Sequence, residues 1–515
     1  MATFNFNTSL GQTLTFNPAS DILSIGYPAL EVELTQSGTS TVVTVAGVGS
    51  VTLASTTVGQ LHTTGAAANL GVAGGVLFIG DETVSDALDA AGNDMTDFTT
   101  GNAKYYGMGG ADTMDGSGTG DVVVFGGTGV TDTTDGGDDY DLLNTGNVTA
   151  YGNAGNDEIT LGATASGKNV SVWGGLDNDT VNGGGGLTGS TTTLDLGAGT
   201  DTFTTTGNAG TVNVKGGLGN DTLTLTNVTG DATVYGGAGM TDTADGADGI
   251  TLAAHNAVVY ANAGADTIDL AGKAAGTSMV HAGAGNDIIT DGALLGSHTV
   301  YGGLGTDTFT INNGTSATSL IVYGGNGTTD TADSADTIAV TNGTATTSLA
   351  IYGNAGSDTI TLTGTGVAAF AGTIHGGLGD DTLNYTADAA GNDTITGSGG
   401  AGSDTFNFAL SGSAANTATI NDFAGTADVL NVTMEGAGFD TAAELTVSRG
   451  SSSVVIAGAT TNTLSLTNFA GNFTASNFTV NGGTTRLVTN FDGAAASLAG
   501  AAGADQLIAG ANGDT

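Results

Sequence analysis

The stretch VNVKGGLGNDTLTL, from Val212 to Leu225, contains one complete structural signal. An apolar alternation leads into a glycine-rich turn, and Asp221 closes the turn. A second alternation follows, with Leu223 and Leu225 two residues apart. Alternation with a period of two is typical of half-buried β-strands, and glycine permits the positive φ angles of a tight turn. The stretch therefore predicts a strand, a turn and a second strand.

This unit recurs along the chain, as in GNAGNDEI from Gly152, GGLGTDTF from Gly302 and GGLGDDTL from Gly376. Successive turn aspartates are mostly 18 to 23 residues apart, and 27 to 29 apart across three longer variants. One unit cannot bury its apolar side, but a stack of units can. We therefore predict an all-β, elongated parallel β-roll or β-solenoid. Its turn aspartates are Asp112, Asp139 (with Asp141 as the alternative), Asp157, Asp179, Asp201, Asp221, Asp248, Asp266, Asp287, Asp307, Asp336, Asp358, Asp381 and Asp404.

The turn pattern Gly-Gly-x-Gly-x-Asp resembles the calcium-binding repeat of RTX proteins. The resemblance covers roughly Gly107 to Phe406. It implies several Ca²⁺ ions, each held between two successive turns by an aspartate and backbone carbonyls, because Ca²⁺ takes six to eight oxygen ligands. The second turn of each unit is a variable segment, such as TNVTGDAT from Thr226, where RTX rolls carry another calcium turn. We therefore expect one calcium column, with one calcium-binding turn per coil.

The three longer variants carry extra aspartates on an inserted loop, and the two in each loop are three residues apart. Carboxylates held close together are costly without a cation. Two hypotheses stay open: further calcium sites, or solvated acidic loops. The residues concerned are Asp132, Asp135, Asp242, Asp245, Asp330 and Asp333.

Most coils have an aromatic residue just before the glycines. We expect either an aromatic stack that stiffens one edge, or a recognition surface for sugar or a neighbouring subunit. The column comprises Tyr106, Phe125, Tyr151, Trp173, Tyr235, Tyr260, Tyr301, Tyr323 and Tyr352, with Lys215, His281 and His375 substituting in other coils.

The charge balance is strongly acidic, with 50 acidic and 6 basic residues and a formal net charge of −44. Such self-repulsion opposes a compact state, yet 39% of the residues are hydrophobic, enough to bury a core. Small cations are the expected counter-charges. Nucleic acid is excluded as a partner because it is itself a polyanion. The chain has no Cys for disulfides, and no apolar run long enough for a membrane span.

Changes in the repeat predict the domain boundaries. Residues 1–95 are expected to form an N-terminal β domain for anchoring or assembly, and residues 96–408 the roll. Residues 409–497 are expected to form a β-sandwich-like cap, and residues 498–515 the start of an incomplete repeat. From that last segment we expect that the natural chain continues, or that it is processed there.

No catalytic motif is present: the five His are scattered, and neither an H-E-x-x-H nor a G-x-S-x-G sequence occurs. We therefore do not expect an enzyme. The composition is similar to that of RTX-type bacterial surface-layer proteins. This resemblance implies a secreted protein that self-assembles outside the cell, exported by type I secretion without an N-terminal signal peptide, with cell-surface polysaccharide as a possible partner. The alternative function is that of an adhesin or biofilm-matrix filament. The third and least favoured hypothesis is a secreted enzyme carried by the roll.

Overall fold

The architecture is nearly all β, with 60% of residues in strands and 2% in helices, and it contains a β-solenoid of about 16 turns. The predicted all-β solenoid is thereby confirmed. Two compact units divide the chain, Met1–Ala254 and His255–Thr515. No helix in the described part of the chain is long and apolar enough to cross a membrane. The computed structural model describes residues 2–61, 68–80, 101–116, 118–143, 146–162, 167–184, 187, 189–205, 207, 209–270, 276–342, 348–365, 369–388, 392–410, 415–425, 427–433, 446–449, 453–457, 462–469, 473, 478–480, 485–489 and 506–508.

Each solenoid coil contains two strands joined by the glycine-rich turn. We call them the pre-turn strand and the post-turn strand. Val214 and Leu223 show the pattern: both are fully buried, and the residues beside them point outward. Each strand pairs in parallel with the equivalent strand of the next coil, so that Val181, Phe203 and Leu223 stack in register. The buried alternate positions therefore form one apolar column per strand.

The first unit opens with two small sheets. Strands Thr3–Asn5, Ile22–Ser24 and Leu70–Gly71 form a parallel sheet. A four-stranded sheet contains Thr13–Thr15, Gly49–Ala54, Ser40–Val45 and Val32–Ser37, in that order. Short 3₁₀ helices lie at Phe6–Thr8, Ala29–Glu31 and Val58–Gln60.

A buried lysine joins this N-terminal region to the first coils. Lys104 is 1% exposed, and its amine donates hydrogen bonds to the carbonyl oxygen of Val32 (2.7 Å) and to Oε1 of Glu33 (2.8 Å). The hydroxyl of Tyr106 accepts a hydrogen bond from the backbone N–H of Leu34. The four-stranded sheet is thus fixed to the solenoid by polar contacts as well as by apolar packing.

The solenoid of the first unit is bounded as follows. Its pre-turn strands are Val76–Ile79, Ala103–Met108, Val122–Gly127, Val148–Ala154, Asn169–Leu176, Thr191–Ala198 and Thr211–Leu218. Its post-turn strands are Thr113–Gly116, Asp139–Leu142, Glu158–Leu161, Thr180–Gly183 and Thr202–Thr205. Thr222–Tyr235 combines a post-turn strand with the next pre-turn strand.

The second unit repeats this arrangement. Strands that combine post-turn and pre-turn segments are Gly249–Tyr260, which begins in the first unit, Ile288–Leu304 and Thr308–Tyr323. The other pre-turn strands are Gly276–Ala284, Ser348–Ala355, Ala371–Leu378, Thr394–Ala401 and Thr417–Ile420. The other post-turn strands are Thr267–Asp269, Thr337–Asn342, Thr359–Gly364, Thr382–Thr386, Thr405–Ala409 and Val429–Thr433.

Parallel stacking extends past both ends of the region 96–408. Val76–Ile79 pairs in parallel with Ala103–Met108 before it, and Val429–Thr433 pairs in parallel with Thr405–Ala409 after it. The described part of residues 409–497 therefore begins as a continuation of the solenoid.

The remaining strands lie toward the C-terminus. Ser453–Ala457 pairs antiparallel with both Thr446–Arg449 and Thr463–Thr467, and the last of these also pairs in parallel with Thr417–Ile420. Phe478–Val480, Thr485–Thr489 and Gln506–Ile508 complete the list. Apart from residues 506–508, the segment predicted as an incomplete repeat lies outside the described residues.

Candidate metal-binding column

The turn aspartates form a continuous hydrogen-bonded column within each unit. The backbone N–H of each aspartate donates to Oδ1 of the aspartate in the following coil, at 2.7 to 3.0 Å. In the first unit this turn column contains Asp112, Asp138, Asp157, Asp179, Asp201, Asp221 and Asp248. In the second unit it contains Asp266, Asp287, Asp307, Asp336, Asp358, Asp381, Asp404 and Asp428.

One sequence-predicted member is placed differently. Asp138, which is 2% exposed, holds the position in the column that was expected for Asp139. Asp139 and the alternative Asp141 are exposed on the strand that follows. The reason is the alternation of the strand: Tyr140 must point inward, so its neighbours point outward. The long variants carry the signal that identifies Asp138, because Asp132, Asp135 and Asp138 have the same spacing of three as Asp330, Asp333 and Asp336.

The column also extends one coil further than the sequence reasoning placed it. Asp428 is 3% exposed, and its Oδ1 accepts a hydrogen bond from the backbone N–H of Asp404. The local sequence ADVLNV, in which Asp428 precedes an apolar alternation, carries the same signal as the earlier units.

The second carboxylate oxygen distinguishes this column from an ordinary hydrogen-bond array. Oδ2 is buried and has no hydrogen-bond partner among the described residues in much of the column, namely Asp157, Asp179, Asp201, Asp221, Asp287, Asp307, Asp336, Asp358 and Asp381. A buried carboxylate oxygen without a donor is costly. Each such position therefore favours a proton or a cation.

The first glycine of the turn makes room for this oxygen. A Cβ atom built on Gly216 would lie 2.3 Å from Oδ2 of Asp221 and 2.3 Å from the carbonyl oxygen of Gly236 in the next coil. On Gly302 it would lie 2.3 Å from Oδ2 of Asp307. A carboxylate oxygen and a carbonyl oxygen thus share the small space beside the glycine Cα. Two acceptors facing one space form a site of negative potential.

The electrostatics of the column reflect this burial. For the five aspartates that follow, desolvation is the main cause of the raised pKa, the backbone hydrogen bond to the carboxylate opposes it, and neighbouring carboxylates add to it. The pKa of Asp157 is raised to about 9, that of Asp179 to about 8 and that of Asp307 to about 7. Burial likewise raises the pKa of Asp336 to about 9 and that of Asp381 to about 6. At neutral pH many of these carboxyls therefore hold a proton unless a cation replaces it.

The opposite edge of the second unit shows the same architecture without most of the charge. The backbone N–H of Asp393 donates to Oδ1 of Asn416, whose own N–H donates to Oδ1 of Asn462. The Asn462 amide also donates to the carbonyl oxygen of Leu410 at 2.8 Å. An asparagine can therefore accept the backbone hydrogen bond through Oδ1, as the aspartates do. Its Nδ2 is a hydrogen-bond donor at the position where an aspartate of the turn column has Oδ2. The consistent use of aspartate in the turn column needs a different reason, and charge is the difference between the two side chains.

The inserted loops hold their two aspartates in different environments. In the third loop, Oδ1 and Oδ2 of Asp330 accept backbone hydrogen bonds from Ala332 and Asn326. These bonds lower the pKa of Asp330, whereas burial raises the pKa of Asp333 to about 6. A Cβ built on Gly325 would lie 2.7 Å from Oδ2 of Asp333 and 2.8 Å from Oδ2 of Asp330, so both oxygens face one space.

The other two loops follow the same plan. Backbone hydrogen bonds lower the pKa of Asp242, and those from Thr128 and Thr134 lower that of Asp132 although burial opposes the shift. Burial raises the pKa of Asp135 to about 8 and that of Asp245 to about 6. Oδ2 of Asp135, Asp245 and Asp333 is buried without a hydrogen-bond partner in the described structure. In each loop, backbone hydrogen bonds to its own first aspartate therefore hold the loop conformation.

Two of these loops are each held by an asparagine of the following coil, which the sequence pattern had not identified as a contact. Oδ1 of Asn354 accepts from the N–H of Gly325 (3.1 Å), and its Nδ2 donates to the carbonyl oxygen of Gly327 (2.7 Å). Asn153 makes the equivalent bonds to Gly127 and Gly129. The available signal was the second turn residue, which is Asn after each long variant: Asn153, Asn262 and Asn354, all with φ of 82° or 83°.

The predicted aromatic column is present as a stack. In the first unit Tyr106, Phe125, Tyr151 and Trp173 stack with ring centroids 4.5 to 5.0 Å apart. In the second unit the stack comprises Tyr260, His281, Tyr301, Tyr323, Tyr352 and His375, also 4.5 to 5.0 Å apart. Parallel pairing of the pre-turn strands sets this spacing.

The turn column fits a hard divalent cation in chemistry. Its donors are oxygens only, and its buried Oδ2 atoms require positive charge. Across the described residues, no three side chains of His, Cys, Asp or Glu come together to hold a metal ion. A cation at a turn would therefore complete its shell with backbone carbonyls and water, which Ca²⁺ accepts.

Comparison with known proteins adds no relative. No protein-family model matches the chain, and a search of curated proteins finds no match to it.

Proposed function

We propose that this chain is a secreted calcium-binding structural protein of the RTX type that self-assembles into a surface layer outside the cell. The observation that carries the proposal is the column of buried aspartates whose Oδ2 atoms have no donor in the described structure. On the opposite edge of the second unit, Asn416 and Asn462 accept the same backbone hydrogen bonds through uncharged amides. A bound cation would account for the use of aspartate in the turn column.

The residues that would hold Ca²⁺ are the turn aspartates, with Asp138 in place of Asp139 and with Asp428 added. Bound Ca²⁺ would supply positive charge to buried carboxylates. The chain itself supplies the rest: glycines leave space beside each Oδ2, and the backbone N–H of the preceding coil orients each carboxylate through Oδ1. Folding of the solenoid is then coupled to calcium.

The negative charge that remains after the turn column is filled determines how copies of the chain can self-associate. The chain has 50 acidic residues and only 6 basic ones, so ions in the turn column leave the surface acidic. Like-charged surfaces do not dock unless something bridges them. The inserted loops, with Asp132–Asp135, Asp242–Asp245 and Asp330–Asp333, are the proposed positions of bridging ions, because they exceed what the coils need.

A direct test combines folding and imaging. The full chain is dialysed into chelator and then into millimolar Ca²⁺, with circular dichroism and negative-stain electron microscopy at each step. We expect β structure and a two-dimensional lattice to appear together with Ca²⁺, and Mg²⁺ to substitute poorly because it demands a tighter octahedron. A complete β fold in chelator at pH 8 would rule out calcium-coupled folding. Fibres in place of sheets would favour an adhesin or matrix filament, since a non-closing contact repeated in one direction gives a filament, whereas a sheet needs contacts in two directions.

A further inference from the structure

A cavity of about 390 Å³ lies beside the third inserted loop in the second unit. Its volume is within the range of roughly 300 to 1,000 Å³ that small-molecule sites occupy. One wall is the loop, with Thr328, Thr331 and Asp330. The other wall contains His375 and Leu378, whose side chain is 44% exposed although it is apolar. One side of the cavity is therefore hydroxyl-rich and the other aromatic and aliphatic.

The aromatic stack of this unit ends at the cavity. His375 stacks on Tyr352 at 4.8 Å, and its partner in the next coil is Ser398, which has no ring to cover the other face. His281, by contrast, is stacked between Tyr260 and Tyr301, so both faces are covered. Ser398 also lines the cavity. A planar or chair-shaped ring placed over His375 would continue the stack.

In the first unit the aromatic stack ends in the same way. Trp173 stacks on Tyr151 at 4.5 Å, and its partner in the next coil is Asp195, so this stack also ends. Trp173 and Leu176 are 37% and 41% exposed, and Val130 on the first inserted loop is 54% exposed. Asn153 braces that loop as Asn354 braces the third. In both units, therefore, an aromatic stack ends in the coil that follows a loop-bracing asparagine.

Charge decides the class of ligand. Asp330 lies in the second-unit cavity, and the hydroxyl of Ser398 donates to Oδ2 of Asp422 at 2.5 Å. Burial lowers the pKa of His375, with the charge of Asp422 opposing the shift, so the ring is neutral at pH 7. At the first-unit stack end, Asp195 pairs in register with Trp173, and its Oδ2 lies 3.5 Å from Nζ of Lys215. The residues that line the second-unit cavity include no Lys or Arg, so its carboxylate disfavours an anionic ligand such as an acidic glycan or nucleic acid.

We propose that each of these two stack ends, at Trp173 and at His375, binds a sugar ring of a neutral polysaccharide. The apolar face of a pyranose ring packs on the uncovered aromatic ring. Its hydroxyls bond to the threonine hydroxyls and carboxylate of the inserted loop, which are the few convergent polar groups that orient a ligand. The sites anchor the protein to a glycan surface.

The chain has a single tryptophan, which makes the first site directly observable. The test uses the full chain in saturating Ca²⁺ and neutral hexasaccharides of β-1,4-glucan, β-1,3-glucan and α-1,6-mannan, at up to 10 mM. We expect a saturable change in Trp173 emission with at least one of them. Co-sedimentation with the corresponding insoluble glycan should fall at least tenfold in affinity for the Trp173→Ala, His375→Ala double variant.

The matched control is His281→Ala, which removes a ring of the same stack that has both faces covered. It should bind glycan like the unchanged chain, and circular dichroism should show all variants folded. Trp173→Phe should retain binding because it keeps an aromatic face. Absence of emission change with every neutral hexasaccharide would overturn the proposal. So would a double variant that binds glycan normally, or one whose only defect is self-association, which would assign these rings to a contact between copies.

Discussion

The backbone N–H of Asp157 donates a hydrogen bond to Oδ1 of Asp179 in the next coil, at 3.0 Å, while Oδ2 of Asp179 is buried without a partner in the described structure. One carboxylate thus has two functions. Oδ1 joins adjacent coils, and Oδ2 carries a charge that the protein itself does not neutralise. The first function is structural and could be performed by asparagine. The second makes the stability of the solenoid depend on protons and cations.

In chelator, stability should fall as the pH rises. The pKa of Asp157 and of Asp336 is raised from 3.8 to about 9, and that of Asp381 to about 6. A raised pKa means that the folded state binds more protons, so its contribution is full below about pH 4 and is lost as the pH rises through 6 to 9. Thermal melts followed by circular dichroism at pH 5, 7 and 9 measure this. Ca²⁺ should restore the fold at pH 9 and release protons on binding. A melting temperature in chelator that does not change between pH 5 and 9 contradicts this explanation.

Replacing one turn aspartate by asparagine should have opposite effects in chelator and in calcium. Asp157→Asn keeps the acceptor for the N–H of Asp138, now 2.7 Å from Oδ1, and removes a carboxyl that must take up a proton on folding when no cation is bound. In chelator at pH 6, where protonated aspartates still support the fold, we expect a gain of about 1–3 kcal/mol in the free energy of unfolding. In Ca²⁺ we expect fewer bound ions by isothermal titration calorimetry.

The neighbouring residue provides the control for that experiment. Glu158 is exposed on the adjoining strand, so Glu158→Gln removes one charge without touching the column. It should change neither the stability in chelator nor the number of bound ions. If Asp157→Asn behaves like Glu158→Gln in both conditions, the column does not bind cations at this turn.

The first glycine of each turn should tolerate no side chain. In Gly302→Ala the new Cβ would lie 2.2 Å from the carbonyl oxygen of Gly324 and 2.3 Å from Oδ2 of Asp307. Two coils must shift, so we expect a loss of about 1–3 kcal/mol, measured by urea unfolding in saturating Ca²⁺. Gly109→Ala is the control, because nothing lies within 4 Å of its Cβ position. Equal stability of the two variants would contradict the prediction, because it would mean that a Cβ at position 302 does not clash with Gly324 and Asp307.

The asparagine brace should control the order of the inserted loop. Asn354→Gly removes both side-chain hydrogen bonds to the loop and still allows the positive φ of 82°. At about 1 kcal/mol per lost hydrogen bond, hydrogen exchange of residues 325–336 should become markedly faster while the coils stay protected. Asn153→Gly should have this effect on residues 127–138 only. Unchanged exchange in both loops would mean that their own aspartates suffice for order.

Neutralising the inserted loops should separate assembly from folding. The variant with Asn at positions 132, 135, 242, 245, 330 and 333 keeps the whole turn column. Circular dichroism in Ca²⁺ should show an intact β fold, and electron microscopy at the same Ca²⁺ concentration should show impaired assembly. A lattice like that of the unchanged chain would leave the loops without a bridging role.

The sequence by itself determined the coil, because the signals involved are local. The alternation at Leu223 and Leu225 sets which side chains are buried, and the glycines beside Asp221 set the turn. Repetition at a nearly constant interval then requires the strands to stack, since a single coil cannot bury its apolar side. The aromatic stack followed from the same reasoning, because equivalent positions in parallel coils lie next to each other.

Only the tertiary structure decided which atoms meet across coils. It placed Asp138 in the column and Asp139 outside, because the inward position of Tyr140 fixes the direction of its neighbours. It also revealed the brace by Asn354, a contact between residues 27 to 29 positions apart. The unpartnered Oδ2 atoms and the uncovered faces of Trp173 and His375 are likewise properties of neighbouring coils. Whether a polar atom has a hydrogen-bond donor, or an aromatic ring has a stacking partner, depends on the residue at the equivalent position of the next coil. The pattern along one strand does not contain that information.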